Sequence, residues 1–399
     1  MSVDLALPHG RRTRTTAFRK ALVSGVLAVS LAVAAGCSSE AGESTTSSGE
    51  STALVSEMQQ LIDQHSAVPE FVAPGPPLDA SQLRGRTVAA IAIDLRVPAL
   101  NEVTESLRGI GERLGIQVTV FDGQGNPTQV KQGMTQAINN QVGAIISVGL
   151  PVQIISDQIA AAKQAGIPVV DVINTPPKRG VPGQGSDPNV FGNVAPDGTL
   201  VGQLLAATAI VETGGKAKVA IMNTSELTAS PTFVGSMKQT LDRCGECSYV
   251  ETDTALVDWA TELPNQAAAV LRSNPDINFM LPIYDGMTLF ASTGVRQAGF
   301  AGKVKMASFN GTAAALDLVA DGDIVVADPA QNNDWAAWAA MDQAMRGMLG
   351  MEPADPVLPI RYVKTDNLKG VDTSSQAAVN EALFGTGYRD GFLRLWGLS

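Results

Sequence analysis

Seven residues close to predicted strand ends carry side chains that can hold a small polar molecule without reacting with it. The rings of Trp259 and Tyr284 can stack on a flat apolar face, and carboxylates and amides can pair with hydroxyl groups. Pairing matters because each buried polar group without a partner costs about 1–3 kcal/mol. The polar members of the set are Asp94, Asn174, Asp285, Asn310 and Asp328. Together they predict a site for a small neutral polyhydroxy ligand, a sugar or a polyol.

The composition argues against catalysis. The chain of 399 residues contains only two histidines, His9 and His65, and both precede the α/β region. Triads and zinc sites that depend on imidazole are therefore excluded. The sequence also lacks a GxSxG motif, a P-loop and a dinucleotide-binding fingerprint. We predict a protein that is not an enzyme and has no cofactor and no metal site.

The charge of the chain argues against nucleic acid as a partner, but it does not decide which kind of small molecule binds. The formal net charge is −11, and the 28 Lys and Arg residues form no cluster beyond the first twenty positions, so we expect no nucleic-acid partner. Near the predicted site, Ala99 and Leu100 form an apolar wall, and the three aspartates outnumber Arg96. An aromatic or cationic ligand is therefore an alternative to a sugar.

Three of the candidate residues also have a purely structural explanation. Asp285 can cap the helix that it opens, Trp259 can belong to the core, and Asp328 before Pro329 can begin a turn. The functional and structural explanations predict different effects of mutation. A ligand contact affects binding, whereas a cap or core residue affects stability.

The stretch 143–174 predicts the element that positions the site. Its two apolar runs, Ala144 to Ile146 and Ile167 to Val170, suit strands that are buried on both faces of a parallel sheet. Apolar residues at helical spacing lie between them, which indicates a βαβ unit. Ligands of open α/β sheets bind beyond the carboxyl ends of strands, so we expect 147–150 and 173–174 to border a cleft.

Alternating strands and helices from Arg86 onward predict two Rossmann-like lobes with parallel sheets, an α/β fold joined by a hinge of two or three crossing segments. The Pro- and Gly-rich segment 175–189 marks the expected exit from the first lobe. The helix 334–349 should return to that lobe. The predicted boundaries are 86–189 plus 329–352 for the first lobe and 190–328 plus 353–399 for the second.

The N-terminal segments predict export and anchoring to a membrane. Residues 1–37 combine a basic start with a short apolar run and end in Val-Ala-Ala-Gly-Cys37, which resembles a bacterial lipobox. Cys37 would carry the lipid, unless it is a chance cysteine after a plain signal peptide. Residues 38–51 predict a flexible tether, and 52–85 predict a helix and an extended strap lying on the first lobe. A helix that binds a partner is the alternative for 52–65.

Several segments together resemble the ribose- and galactose-type substrate-binding proteins of bacterial ABC importers, the type I periplasmic binding proteins. The resemblance covers about 86–350. It is carried by LGIQVTVFDGQGNP from Leu114, QAINNQVGAIIS from Gln136, AAAKQAGIPVV from Ala160, GGKAKVAIM from Gly214, LRSNPDINFML from Leu271 and SFNGT from Ser308. It implies a two-lobed fold with the ligand held between the lobes on loops at strand ends.

The resemblance also implies roles for five of the candidate residues. Asp285 matches the acidic residue that opens a second-lobe helix, and Trp259 falls where the family places an aromatic ring. Asn310 stands where many members have Asp, and Asp328 where a Gln often crosses back. Tyr284 replaces a common Asn. The first loop departs further, because it reads Val-Pro-Ala-Leu at 97–100 where sugar binders often have two aromatic residues.

Cys244 and Cys247 form a CxxC motif in a chain predicted to be exported. The motif follows a predicted helix and precedes a strand, which is the reverse of a thioredoxin-like arrangement. No second cysteine pair and no histidine lie nearby to complete a zinc site. A small structural disulfide is the best interpretation in an oxidising compartment.

The predicted function is reversible capture of a small solute outside the membrane. The lobes close on the ligand, and the closed form docks on the membrane permease of an ABC importer. We expect a monomer, anchored by lipid to the outer face of the cytoplasmic membrane. A module that presents the ligand to a membrane receptor would have the same fold and the same cleft, so it stays open as an alternative.

Overall fold

Two six-stranded sheets form the framework of the computed structural model, which describes residues 44–175, 187–354 and 356–398. In spatial order the first sheet consists of β11 (Val357–Leu358), β5 (Gly192–Pro196), β4 (Val169–Val172), β3 (Ala144–Val148), β1 (Thr87–Ala92) and β2 (Gln117–Asp122). The second consists of β12 (Ile360–Lys364), β10 (Val325–Gln331), β9 (Lys305–Ala307), β8 (Phe279–Pro282), β6 (Lys218–Asn223) and β7 (Ser248–Asp253). Neighbouring strands are parallel except for the antiparallel pair β10 and β12. The predicted α/β fold with parallel sheets is confirmed.

Helices cover both sheets. Those packed on the first sheet are α2 (Pro98–Leu114), α3 (Pro127–Asn139), α4 (Ser156–Gln164) and α10 (Asn333–Met348). Those of the second sheet are α5 (Gly198–Glu212), α6 (Ser230–Leu241), α7 (Trp259–Ser273), α8 (Asp285–Gln297), α9 (Ala313–Asp321) and α11 (Gln376–Phe384). Each sheet with its helices is called a lobe below. The predicted return of α10 to the first lobe is confirmed by its contacts with α2 and three first-sheet strands.

Local signals in the sequence explain many of the element ends. The unit β3, α4, β4 forms as predicted, with every residue of both strands buried. Gly115 ends α2 at a left-handed φ of 70°, and the Asn126 side chain caps α3, which begins at Pro127. Asp197 caps α5 by accepting a hydrogen bond from the Thr199 amide at 2.9 Å.

Strand β5 corrects the predicted lobe boundary at 189. The structure pairs Val170 to Val172 of β4 with residues 192–194, so this strand belongs to the first sheet and does not open the second lobe. The strand is buried throughout, which suits an interior position between β4 and β11. The chain therefore crosses to the second lobe after Pro196; most of the Pro- and Gly-rich segment where the exit was predicted, 176–186, lies outside the described residues.

The N-terminal helix lies on the second lobe, which corrects the prediction that it lies on the first. Helix α1 (Ser44–Gln64) packs against α5 through the buried side chains of Leu54, Met58 and Ile62. It begins at Ser44, so the second half of the predicted tether 38–51 is helical. The predicted signal peptide with Cys37 and residues 38–43 lie outside the described residues.

The strap and the C-terminus return to the first lobe, so the prediction that 353–399 belongs to the second lobe holds only in part. Helix α12 (Gly387–Leu395) packs on α10, and the Leu78 amide of the strap donates to the carbonyl of Leu395 at 2.9 Å. The described chain therefore passes between the lobes at five places, where two or three were expected. These are the start of the strap and the connections from β5 to α5, β10 to α10, β11 to β12, and α11 to α12.

Candidate functional site

A cavity of about 50 Å³ lies where strand ends of the two lobes meet. The first lobe contributes residues that follow β1, β3 and β4, and the second contributes residues that follow β6, β7, β8 and β9. The wall consists of Ile93, Val97, Ala99, Leu100, Gly149, Ile173, Asn174, Leu227, Leu256, Trp259, Tyr284 and Asn310. The stretches 147–150 and 173–174 border this cavity, as the βαβ unit predicted.

Two wall residues have a strained backbone. Ile173 has a φ of 55° and Asn310 a φ of 145°, both in regions that favour glycine. A β-branched residue such as isoleucine rarely adopts a positive φ, and each such residue costs about 1–3 kcal/mol. The strained positions lie on opposite lobes and face the same cavity. Strain of this kind accumulates at sites where function fixes the backbone.

Trp259 lines the cavity and carries an unpaired, buried hydrogen-bond donor. The residue is only 5% exposed, and its Nε1 has no hydrogen-bond partner among the described residues. Its ring stacks on that of Tyr284 with centroids 6.2 Å apart. Gly286 makes this position possible, because a Cβ there would lie 2.8 Å from Cζ3 of Trp259. A buried N–H without an acceptor indicates that a ligand supplies one.

The other polar groups of the wall are neutral. The Asn310 side chain makes no hydrogen bond to another described residue, and Asn174 donates from Nδ2 to the carbonyl of Leu150. The Tyr284 hydroxyl lies 3.4 Å from Oγ of Ser230, and burial raises the pKa of this phenol to about 12. The wall thus offers neutral donors and acceptors, with no full charge on it.

Asp285 lies beneath the wall and serves the backbone of its own lobe. It is 1% exposed and accepts hydrogen bonds from Ser308 Oγ at 2.5 Å and from the amide and hydroxyl of Thr312, both at 2.7 Å. These bonds join the first residue of α8 to the turn after β9. Asp285 therefore has a structural role, but it is not the predicted helix cap, because its bonds reach the turn after β9 and not the amides of α8; it is also not among the cavity residues.

Asp328 also lies off the cavity. It is fully buried within β10, and neither carboxylate oxygen has a hydrogen-bond partner among the described residues. Burial and the nearby charge of Asp285 raise its pKa well above the ordinary value. Strand β10 continues to Gln331, and this glutamine, not Asp328, precedes the crossing to α10.

Asp94 turns towards its own lobe. It is 2% exposed, and its carboxylate pairs with the guanidinium of Arg96 at 2.5 Å. Burial acts to raise the pKa of Asp94, but the hydrogen bonds and charge of Arg96 hold it below the ordinary value. None of the three predicted aspartates therefore brings an unpaired negative charge to the cavity wall, which removes the basis for a cationic ligand.

Several wall residues were not predicted from the sequence. Leu227 and Leu256 follow strands β6 and β7, but as isolated leucines in loops they cannot be told from core residues. Their only available signal was their position after a strand. The sequence gives no signal of a ligand contact at Ile93 or Val97 either, although both lie close to Asp94, a predicted site residue.

A larger depression of about 520 Å³ lies elsewhere, along β2 and α3. All of its lining residues fall within 85–143, so it belongs to the first lobe alone. It lies at the amino ends of β1 and β2, not at the carboxyl ends where ligands of such sheets bind, although Gln141 on its lining also has a positive φ, of 50°. For these reasons we assign the candidate site to the smaller cavity between the lobes.

Three further features of the described residues concern metal binding, the cysteine pair and the length of the helices. Within the described ranges, no group of three or more His, Cys, Asp and Glu side chains could hold a metal ion. Cys244 and Cys247 form a disulfide in the turn between α6 and β7. None of the helices in the described part of the chain has both the length and the apolar character of a bilayer span.

Comparison with known proteins gives a family match and similar solved structures. The family model described as periplasmic binding protein domain matches residues 98–347. A search of curated proteins found no matching sequence.

Similar folds occur in ABC transporter solute-binding proteins. One from Actinobacillus succinogenes 130z with bound D-allose is 21% identical, with 71% of this chain and 99% of that chain covered and a TM-score of 0.64. One from Bacillus halodurans C-125 with bound myo-inositol is 19% identical, with 72% and 97% covered and a TM-score of 0.65. The 5-methylthioribose-binding protein of Thermotoga lettingae TMO is 16% identical, with 82% and 100% covered and a TM-score of 0.69. At these identities the likeness shows the fold.

Proposed function

The chain belongs to the periplasmic binding protein family, and on that premise we propose that it captures a small neutral polyhydroxy solute, a sugar or a polyol, for an ABC importer. The observation that carries this proposal is the cavity between the lobes, whose polar groups are amides, a phenol and an unpaired indole N–H. Hydroxyl groups can both donate to and accept from such a wall. A ligand that touches both lobes stabilises their contact, which is how capture is coupled to closure.

The solutes bound by the similar structures support the same class. Three of these structures contain bound D-allose, myo-inositol or 5-methylthioribose. All three ligands are neutral polyhydroxy compounds. The paired or buried state of the three aspartates gives a physical reason to prefer such a ligand over a cation. Transfer to a membrane permease, a monomeric state and lipid anchoring through Cys37 are parts of the same proposal.

The experiment is a thermal-shift and calorimetry screen of sugars, polyols, amines and aromatic compounds. A ligand present at 100 times its Kd adds about 2.7 kcal/mol to the free energy of unfolding. We expect sugars or polyols to give the shift and Trp259→Phe to reduce it, because phenylalanine keeps the ring and lacks the N–H. Loss of one hydrogen bond to a neutral hydroxyl corresponds to about 1 kcal/mol, or about fivefold in Kd.

The matched control is Tyr249→Phe, which removes one hydroxyl group and keeps the aromatic ring at a position on β7 outside the cavity. It should leave the Kd unchanged. A shift produced only by amines or aromatic compounds would contradict the proposed ligand class, as would equal losses of affinity in the two variants.

A further inference from the structure

We propose that this cavity selects short polyols, of three or four carbons, and that Leu100 sets the upper limit on their length. The inference rests on the proposed function and narrows its substrate class. It follows from the volume of the cavity, from the unequal chemistry of its two sides and from the way in which Leu100 is held.

The volume of the cavity limits the size of the ligand. A water-sized position needs about 10–15 Å³, so a cavity of about 50 Å³ holds roughly three to five of them. At about 30 Å³ of liquid volume per water, this corresponds to roughly 90–150 Å³ of ligand. A polyol of three or four carbons falls within that range, whereas a six-carbon polyol requires the lobes to stand further apart.

The two sides of the cavity differ in polarity, which orients the ligand. The second lobe supplies the free indole N–H of Trp259 and the amide of Asn310. The first lobe supplies mainly hydrocarbon, from Ile93, Val97, Ala99, Leu100 and Ile173, and one polar side chain, Asn174, whose Nδ2 already donates to Leu150. Hydroxyl groups buried against the hydrocarbon would lack partners, each at a cost in affinity. The best ligand therefore directs its hydroxyl groups towards the second lobe and its carbon chain towards the first.

Leu100 is fixed in place by its neighbours. It lies in the first turn of α2 and is 8% exposed. A Cβ on Gly149 would lie only 2.9 and 3.0 Å from its two Cδ atoms, so the leucine fills the space left by that glycine. Gly149 also has a φ of 66°, which favours glycine at this position. The side chain therefore forms a fixed part of the cavity wall.

The test measures Kd by calorimetry for glycerol, erythritol, xylitol and allitol in the wild type and in Leu100→Ala. We expect the wild type to bind erythritol at least tenfold more tightly than allitol, in line with the discrimination of small pockets against added groups. Leu100→Ala should reduce this preference at least tenfold, because the smaller side chain adds space to the cavity. Leu114→Ala is the control, since it makes the same change on the same helix at a buried position outside the cavity.

The outcomes separate this inference from the function on which it rests. Equal affinity of the wild type for erythritol and allitol would overturn the size limit while leaving polyol capture intact. If Leu114→Ala broadens the range as much as Leu100→Ala does, the role of Leu100 is overturned, while polyol capture again stays intact. Failure of every sugar and polyol to bind the wild type would overturn both proposals.

Discussion

Replacing Glu102 by Gln is expected to raise the stability of the variant relative to the wild type as the pH rises from 4.5 to 8. Glu102 lies on α2 of the first lobe and accepts hydrogen bonds from two amides. Asn333 Nδ2, at the crossing into α10, donates at 2.8 Å, and Asn380 Nδ2, on α11 of the second lobe, donates at 2.6 Å. One carboxyl group thus joins both lobes and a hinge segment.

The magnitude follows from the pKa of this carboxyl. Burial raises the pKa of Glu102 to about 7; the two asparagine hydrogen bonds act in the opposite direction, and the charges of Asp334 and Asp285 raise it further. The other charged group at this junction is Arg389, which pairs with Asp334 at 2.7 Å and so does not neutralise Glu102.

The sign follows from comparison with the unfolded chain, where the pKa is about 4.3. Below that pH both states are protonated and Glu102 makes no difference. Between about 4.3 and 7 the unfolded chain loses the proton first, so the folded state loses stability as the pH rises, and above 7 the loss is constant. The full difference corresponds to about 4 kcal/mol. Because Glu102 also lines a groove of about 400 Å³ that admits water, we expect about 1–3 kcal/mol.

Urea unfolding at pH 4.5, 6.5 and 8 measures this effect. Glutamine removes the charge, but its Nε2 cannot accept the second asparagine bond, so the variant loses one hydrogen bond at every pH. The stability of Glu102→Gln relative to the wild type should still rise over this range, because only the wild type is affected by ionisation of Glu102. Glu105→Gln is the control, because Glu105 is exposed one turn further along α2 and pairs with Arg108 at the surface. A difference that is the same at all three pH values, or an equal gain in the control, would refute the reasoning.

Two further predictions concern a structural acid and the membrane anchor. Asp285→Ala should lower the free energy of unfolding by at least about 2 kcal/mol without any ligand, because it leaves the buried donors of Ser308 and Thr312 without an acceptor. An unchanged urea midpoint would show that these bonds do not matter for stability. Cys37→Ala should release the protein from the membrane fraction into the soluble fraction, as measured by fractionation and blotting, and retention of the variant in the membrane would contradict lipid attachment at Cys37.

Much of the fold was predictable because its signals are local. The apolar runs of β3 and β4, the glycine that ends α2 and the proline that begins α3 each determine a short stretch of backbone by themselves. Their order along the chain then predicts a parallel sheet, since a helix between two strands forms a crossover connection.

Errors arose where the partner of an element decides its place. The sequence of β5 fits an interior strand of either sheet, and only its pairing with β4 assigns it to the first. Helix α1 has an apolar stripe that could cover any apolar surface, and the stripe does not reveal that this surface is α5. The same holds for α12, whose contacts with α10 join residues far apart in the sequence.

The candidate site was predictable in position but less so in its residues. Strand ends located the cavity, and Asn174, Trp259, Tyr284 and Asn310 lie on its wall. The three aspartates were selected for their charge, but Asp94 is neutralised by Arg96 and Asp285 serves the Thr312 turn. Charge identifies a residue that needs a partner, and the sequence does not show whether that partner is a ligand or the protein itself.

The two crossings that were not predicted determine where the lobes can bend. Phe71 of the strap packs against Phe392 of α12 with ring centroids 4.9 Å apart, so both segments move with α10 and the first lobe. His65 and Ser66 belong to the second lobe, because their carbonyls accept hydrogen bonds from the Tyr362 amide at 2.6 Å and from Arg361 at 3.1 Å. Relative motion of the lobes must therefore be taken up within 67–70 on one crossing and at 385–386 on the other. Both stretches suit this role, since Val68 is 50% exposed and Gly385 has a φ of 65° with open space around it.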